Sequence, residues 1–247
     1  MTLLPESPLD ILLHGLIGVD YILHLSTPLS APLSSATSPS STQSSTRFAI
    51  SREIEREERV ASGLMWRVAE LLRAAGLRVA LSGNALGDDS NGRLVERENQ
   101  ARDWLHPKRV ASLETPYRVV LQTPHEPTVV LSRCQAARRH DREEFGSQSS
   151  TRLKPWPRAR LVCCSDELPF SALSLARFAH AERIPLWLVS SGTISTDEQT
   201  RVALDELRSL SAIAPLAENG DVEELAAQLR VNLRLLEDGL PGRIGAE

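Results

Sequence analysis

The chain has 247 residues, of which 41% are hydrophobic, and it carries a formal net charge of −4. This length is sufficient to bury a substantial core, either as one large domain or as one domain with a small lobe. The acidic balance gives no support for nucleic acid as the main partner, because nucleic-acid-binding proteins show a clustered basic excess.

The N-terminal residues predict neither a secretory signal nor a membrane anchor. Acidic residues, Glu6 and Asp10, stand where a signal peptide needs a basic region. The apolar run that follows is interrupted by His14 and Asp20, and it is far shorter than the ~20 residues that span a bilayer. We therefore expect a cytoplasmic protein with no membrane partner.

Residues 10–25 predict a buried strand, a glycine-containing bend and a second extended piece.

Residues 26–46 form a low-complexity segment, in which 16 of 21 positions are Ser, Thr or Pro. Such a segment cannot bury enough apolar surface to offset its ordering entropy, so we expect a flexible excursion within a single domain spanning 1–247.

Residues 48–61 are ambiguous between a helix and a strand. Their charge spacing is typical of a helix, whereas Phe48, Ile50, Ile54 and Val60 follow the period of two expected for a half-exposed strand.

Residues 60–92, VASGLMWRVAELLRAAGLRVALSGNALGDDSNG, contain the most informative pattern in the chain. Ser62 and Gly63 precede an apolar-periodic helix that ends at Gly76, and a strand is predicted at 77–81. The segment closes on the turn sequence GDDSNG at 87–92.

The middle of the chain predicts a β-hairpin followed by an exposed connection. Strands are indicated at 117–122 and 128–133 around a proline-containing turn. Residues 132–157 are polar and charged, and we expect an exposed connection there. The basic cluster RCQAARRHDR at 133–142 within it is predicted to be a solvated loop, with an anion-binding patch as the alternative.

From residue 160 onward, strands and helices alternate, a pattern typical of a mainly parallel sheet covered by helices. Strands are predicted at 160–165, 186–190 and 213–217. Helices are predicted at 169–183, from a capping box at Ser195 through 210, and from Asp221 to about residue 238. The whole chain thus predicts an α/β fold.

The cysteines and histidines predict no metal site or disulfide framework. Three cysteines are too few for such a framework in a chain of this length, and Cys163 and Cys164 are adjacent in a predicted strand, so their side chains point to opposite faces. Buried structural thiols are expected. The six histidines have no i,i+4 pair with metal-binding spacing.

The pattern at 60–92 resembles the N-terminal signature of the PfkB carbohydrate kinases, the ribokinase-like sugar and nucleoside kinases. That signature is a Gly-Gly pair, an Asn a few residues later, a helix, and then G-x-D-x-x-G. The resemblance implies a ribokinase-like three-layer fold with a mostly parallel sheet and a small β-lid formed by 48–61 and 117–133. It also implies that the last part of the fold is absent. The implied activity is ATP- and Mg²⁺-dependent phosphorylation of a sugar or a related hydroxyl compound.

The resemblance also implies a set of substrate-binding residues, with several departures from the family pattern. Asp20 matches the carboxylate that binds sugar hydroxyls; its alternative role is to terminate an irregular strand. Gly18 stands where the family usually has Asn. Ser62 and Gly63 correspond to the Gly-Gly pair, where backbone must approach the ligand closely. Arg67 falls on the position of the sugar-contacting Asn. It could bind a phosphate or carboxylate on the substrate, or the original site has been lost.

Gly87, Asp89 and Gly92 form the best-preserved element, the G-x-D-x-x-G turn. In isolation this pattern only indicates a turn, and its carboxylates and glycines more often shape the turn than touch substrate. We therefore assign Asp89 a structural role.

The sequence contains no Gly-Ala-Gly-Asp segment, the family's ATP-phosphate and catalytic-base motif. Two glycine-containing segments, 191–193 and 219–221, precede predicted helices, but acidic residues in the first turns would repel phosphate. No ATP cofactor site is therefore supported by this chain alone, and we expect an incomplete or inactive kinase. Two classes remain open. One is an enzyme component completed by a separate C-terminal polypeptide. The other is a non-catalytic sugar-binding or protein-interaction module, with a homodimer through the lid as one possible assembly.

Overall fold

The structure is a computed structural model of the chain. It describes residues 9–25, 54–102, 104, 107–123, 127–146, 156–190, 197–214 and 222–237. The secondary-structure elements are, in chain order, β1 (Leu9–Gly15), β2 (Gly18–Leu25), β3 (Ile54–Ser62), α1 (Leu64–Ala74), β4 (Val79–Gly83), β5 (Leu86–Gly87), α2 (Ser90–Ala101), β6 (Arg109–Val110), β7 (Tyr117–Gln122), β8 (Pro127–Arg133), α3 (Gln135–Phe145), β9 (Ala159–Ser165), α4 (Pro169–Ala181), β10 (Leu186–Val189), α5 (Glu198–Leu210), β11 (Ala212–Ala214) and α6 (Val222–Glu237).

The centre of the fold is a five-stranded parallel sheet in the order β11-β10-β9-β1-β4. Successive residues of a strand face opposite sides of the sheet, and here both sides are covered. Ile11 and Leu13 belong to the core shared with α1 and α6, whereas Leu12 belongs to the core shared with α4 and α5. The predicted α/β architecture, with helices on both faces of a mostly parallel sheet, is confirmed.

A second, four-stranded sheet forms the lid, in the order β3-β2-β7-β8. β2 pairs antiparallel with β3 and parallel with β7, and β7 pairs antiparallel with β8. The hydroxyl of Tyr21 donates to Asn91 at 2.7 Å, and Arg59 donates to the same amide oxygen at 2.7 Å, which ties the lid to the first turn of α2. Because only two residues separate β1 from β2, the lid stands directly beyond the carboxyl end of β1.

Residues 54–60 form a strand, so the β interpretation of this ambiguous stretch is correct over its described part. Most of this strand is solvent-exposed, and Ile54 is 50% accessible. The flexible segment expected at 26–46 lies outside the described residues, as do 48–53. The single-domain assignment stays a prediction.

The exposed connection and solvated loop predicted within 132–157 are wrong over residues 135–145, which form α3. The sequence did not predict this helix, because the buried face of α3 is narrow and half polar. Its buried residues are Ala137 and Asp141. Asp141 is nevertheless a strong tertiary anchor. Its carboxylate accepts hydrogen bonds from the backbone N–H groups of Phe170 and Ser171, each at 3.0 Å, at the start of α4.

The N-terminus of α5 also differs in detail from the prediction. The capping residue is Asp197, which accepts from the N–H of Thr200 at 3.1 Å, whereas Ser195 lies outside the described residues. The side chain of Asp197 is a short hydrogen-bond acceptor, as that of a capping serine is. The sequence therefore predicted the start of α5 within two residues of its position in the structure. The cap predicted at Asp221 is likewise outside the described part of the chain.

The paired cysteines lie as predicted on opposite faces of β9. Cys163 belongs to one core cluster and Cys164 to the other, and both are fully buried. Burial raises the pKa of both thiols, that of Cys164 to about 12, so neither is a thiolate at neutral pH. Cys134 is half-buried at the start of α3. Among the described helices, none has both the length and the apolar composition required to span a bilayer.

Candidate functional site

A cavity of about 360 Å³ lies between the lid and the carboxyl ends of β1 and β9. The chain runs from β1 to β4 on one side and returns to β9 on the other, so the sheet changes winding direction here. Open α/β sheets bind ligands at this kind of switch point, outside the carboxyl ends of the strands. The charged or polar lining residues are Asp20, Ser62, Arg67, Tyr117, Arg118, Ser132, Arg133, Arg138 and Glu167.

Asp20, on β2, is buried at the floor of this cavity, with 2% of its surface exposed. Arg118 on the neighbouring strand binds it in a two-pronged contact, with Nε 2.8 Å from Oδ1 and Nη2 2.7 Å from Oδ2. The hydroxyl of Ser62 donates to Oδ2 at 2.6 Å. The contact with Asp20 raises the pKa of the Arg118 guanidinium, against the opposing effect of burial. Both carboxylate oxygens therefore have protein partners.

Gly63 allows the backbone at the N-terminus of α1 to contact Leu16, in the connection between β1 and β2. A Cβ at this position would lie 2.2 Å from the carbonyl oxygen of Leu16, and the φ angle of Gly63 is +148°. Only glycine adopts this conformation readily. Gly18 begins β2 on the same wall of the cavity. Sequence reasoning thus selected Gly18, Asp20, Ser62, Gly63 and Arg67, and the structure brings these five residues to one cavity.

Arg67 projects from α1 with 56% of its side chain exposed, and its Nη2 lies 3.7 Å from Oδ2 of Asp20. Sequence reasoning did not assign four other charged residues to the site: Arg118, Arg133, Arg138 and Glu167. Arg133 and Arg138 belong to the basic cluster at 133–142, for which an anion-binding patch is the alternative. Glu167 follows β9 and accepts from the hydroxyl of Ser165 at 3.3 Å. Burial raises the pKa of the Glu167 carboxyl, and the nearby charge of Arg138 lowers it only in part. A carboxyl with a raised pKa in a cleft is a common property of functional groups.

The three residues of the G-x-D-x-x-G turn lie away from this cavity and shape the start of α2. Asp89 is the N-cap, accepting from the N–H of Gly92 at 2.7 Å through Oδ1 and from the N–H of Thr115 at 2.9 Å through Oδ2. Although burial raises the pKa of Asp89, these backbone bonds outweigh it and the pKa is lowered. A Cβ at Gly92 would lie 2.1 Å from the carbonyl oxygen of Gly87, so the two glycines meet backbone to backbone. This geometry supports the structural role that we assign to Asp89.

We expect Asp89→Ala to lower the free energy of unfolding by about 1–2 kcal/mol, because it removes the α2 cap and leaves the N–H of Thr115 without its acceptor. Urea unfolding followed by circular dichroism measures the change. Asp88→Ala is the matched control, since Asp88 is 57% exposed and pairs with the side chains of Arg93 and Arg109 rather than with a helix N-terminus. Its expected effect is below about 1 kcal/mol. Equal effects of the two substitutions would contradict the capping role.

A second cavity, of about 400 Å³, lies near the carboxyl ends of β1 and β4. Nε2 of His14 lies 2.9 Å from Oγ of Ser171 in this cavity, and Nδ1 lies 3.4 Å from Oγ of Ser82. The indole N–H of Trp156, also in the lining, is buried without a hydrogen-bond partner among the described residues. The first cavity, with its concentration of arginine and carboxylate side chains, is the better candidate for binding a polar ligand.

Four of the six described helix N-termini do not fit the triphosphate and Mg²⁺ that the resemblance implies. Aspartate side chains bind the N-terminal N–H groups of three helices: Asp89 at α2, Asp141 at α4 and Asp197 at α5. The first turn of α6 contains Glu223 and Glu224. Carboxylates at these positions repel phosphate and satisfy the donors that a phosphate would need. Within the described ranges, no group of three His, Cys, Asp or Glu side chains is arranged to hold a metal ion.

No protein-family model matches the chain, and no curated protein sequence matches it. Solved structures do match. A PfkB protein from Polaromonas sp. JS666 has a TM-score of 0.58 at 17% identity, covering 90% of this chain and 74% of its own. A Methanocaldococcus jannaschii nucleoside kinase, an archaeal member of the ribokinase family, has a TM-score of 0.55 at 15% identity, covering 90% and 65%. Arabidopsis thaliana ribokinase, solved with ribose and ATP, has a TM-score of 0.51 at 14% identity, covering 85% and 72%.

These likenesses show the fold. The chain has a ribokinase-like fold, the architecture of a class of carbohydrate and nucleoside kinases, as the resemblance at 60–92 predicts.

Proposed function

We propose that this chain is a carbohydrate-kinase-like protein that binds a small polyhydroxylated compound between the lid and the parallel sheet. The observation that carries the proposal is the polar cavity at the switch point, closed on one side by β2, β7 and β8. Its volume, about 360 Å³, lies within the range of small-molecule sites. Sugar hydroxyls need ionised acceptors and donors that are held in place, and Glu167 and Arg118 offer one of each.

We further propose that this polypeptide alone does not transfer a phosphoryl group. Phosphoryl transfer depends on electrostatic stabilisation and positioning of the phosphates. The 247 residues contain no Gly-Ala-Gly-Asp segment, and carboxylates stand at the N-termini of α2, α4, α5 and α6. Binding of ATP and Mg²⁺ therefore stays an expectation from the resemblance alone. So do a cytoplasmic location and assembly through the lid or with a C-terminal polypeptide.

Titration calorimetry with a panel of pentoses, hexoses, sugar alcohols, sugar acids and sugar phosphates tests the binding proposal. We expect at least one compound to bind, and Glu167→Gln to weaken that binding about tenfold, because a neutral amide is a poorer acceptor than a carboxylate. Glu143→Gln is the matched control, since Glu143 is exposed on α3 outside the cavity. No binding, or binding that Glu167→Gln leaves unchanged, would overturn the assignment of this cavity.

An ATP-consumption assay with the same panel tests the catalytic part separately. We expect no sugar-dependent turnover by the purified chain. Sugar-dependent turnover that Glu167→Gln reduces would overturn the non-catalytic proposal while supporting the cavity. Turnover that appears only after a second polypeptide is added would identify the chain as an enzyme component.

A further inference from the structure

Two of the six described helices differ from the others at their N-termini. The N-caps of α1 and α3 are Gly63 and Cys134, with no side-chain cap and no acidic residue in the first turn. The four remaining described helices have carboxylates there. Gly63 and Cys134 both line the switch-point cavity. The two described helix N-termini that lack both a side-chain cap and a first-turn acid therefore lie at the same cavity.

Arginine side chains line the same cavity. Arg67, Arg118, Arg133 and Arg138 outnumber the two lining carboxylates, Asp20 and Glu167, although the chain as a whole is net acidic. Glu114 partly balances Arg133 at 3.6 Å, on the solvent side, where both side chains are more than half exposed. Without that pair, three arginines still face two carboxylates. The local excess of positive charge is opposite in sign to the net charge of the protein.

Arg118 is held in place by neighbouring side chains, whereas Arg138 has a buried donor atom. Asp20 and the hydroxyl of Ser62 fix the guanidinium of Arg118 through Nε and Nη2. The Nε of Arg138 is buried and has no hydrogen-bond partner among the described residues. A buried donor without an acceptor is unfavourable, and an anionic group in the cavity would relieve it.

From these observations we propose that the cavity selects an anionic polyhydroxylated compound, with its phosphate or carboxylate group between the N-termini of α1 and α3. Arg67 and Arg138 would contact that group. Arg118, held by Asp20, would lie beside it and add to the positive charge around it. The inference rests on the proposed polyol-binding function and specifies the substrate class. Guanidinium groups suit both oxyanions, because their paired N–H groups match two oxygens of either one.

Calorimetry with matched compounds tests this inference. The two sets are ribose, ribonate and ribose 5-phosphate, and glucose, gluconate and glucose 6-phosphate, with inorganic phosphate titrated separately. In at least one set, we expect an anionic member to bind at least about tenfold more tightly than its neutral counterpart, as one charged hydrogen bond would give. Comparison of the acid with the phosphate identifies which oxyanion the cavity takes.

Arg67→Gln is the principal variant, since the side chain of Arg67 is 56% exposed and its replacement should leave the fold intact. We expect about a tenfold loss of affinity for the anionic member and less than about a twofold change for the neutral one. Arg138→Gln should act in the same direction. Arg201→Gln is the control, since Arg201 is 63% exposed on α5, outside the cavity. Urea midpoints of all variants check that folding is retained.

The outcomes separate this inference from the function on which it rests. Neutral and anionic members that bind equally tightly would overturn the inference and leave the polyol function standing. Inorganic phosphate that binds as tightly as the sugar phosphates would support an anion site and overturn the polyol function. No binding by any compound would overturn both. Equal effects of Arg67→Gln and Arg201→Gln on the anionic member would overturn the placement at α1.

Discussion

Gly63→Ala is expected to lower the free energy of unfolding by about 4 kcal/mol, because two separate penalties act at this position. An L-residue is strained at φ +148°, and the new Cβ would lie 2.2 Å from the backbone oxygen of Leu16. That oxygen cannot move without displacing the β1–β2 connection, on which Asp20 and the lid depend. Urea unfolding measures the loss, and calorimetry should show that ligand binding weakens as well.

Gly76→Ala provides the matched control, because it strains the backbone at a positive φ angle without causing a steric clash. Gly76 ends α1 at φ +86°, and a Cβ there would have no heavy atom within 4 Å. The expected loss is about 1 kcal/mol, from the backbone term alone. If the two substitutions destabilise the protein equally, the close approach of Gly63 to Leu16 does not exist in solution.

The sequence predicted the parallel sheet well because the relevant signals are local. Strands buried on both faces give short continuous apolar runs, such as RLVCCS at 160–165, and the helices between them repeat apolar residues every three or four positions. Gly76 marked the end of α1, although the strand after it begins at Val79, two residues later than predicted. Boundary errors of this size are normal, since helix and strand ends depend on hydrogen bonds that composition does not reveal.

The charged part of the site could not be predicted in the same way. Arg118 bonds Asp20 from 98 residues away. The contact depends on β2 and β7 pairing in parallel with Asp20 beside Arg118, a register that neither segment specifies alone. Glu167 and Arg138 reach the cavity only because β9 ends there and α3 begins there. Sequence reasoning could find the glycines, Asp20 and Arg67, whose pattern is local, but not Arg118 or Glu167, which only the fold brings to them.

The helix α3 shows how a polar sequence can encode a buried contact. Eleven residues with high charge gave no apolar periodicity of the usual width, and the element was predicted as a loop. Its packing depends on Ala137 and on a carboxylate, Asp141, that caps a different helix. Such a contact can be recognised only when the packing of α3 against α4 is known.

That carboxylate leads to a prediction of pH dependence. Burial raises the pKa of Asp141 from 3.8 to about 6, and the repulsion of Glu144 adds to this, although bonds from Ser171 and Phe170 oppose it. Between these two pH values the folded state therefore binds more protons than the unfolded state. Stability due to Asp141 should consequently fall as the pH rises from about 4 to 6, by up to about 3 kcal/mol.

Asp141→Asn removes the titrating charge, and its single amide oxygen can still accept one of the two α4 N–H bonds that Asp141 accepts through separate oxygens. The difference in unfolding free energy, variant minus wild type, should rise in favour of the variant across this pH range and then level off above it. Asp141→Ala, which lacks the acceptor, should be less stable than Asp141→Asn at every pH, by about 1–2 kcal/mol. Asp197→Asn is the control, since hydrogen bonds from Thr200 lower the pKa of that exposed cap. A pH-independent difference for Asp141→Asn would mean that the carboxylate ionises normally in the fold, and that the α4 N-terminus stabilises its charge more strongly than burial opposes it.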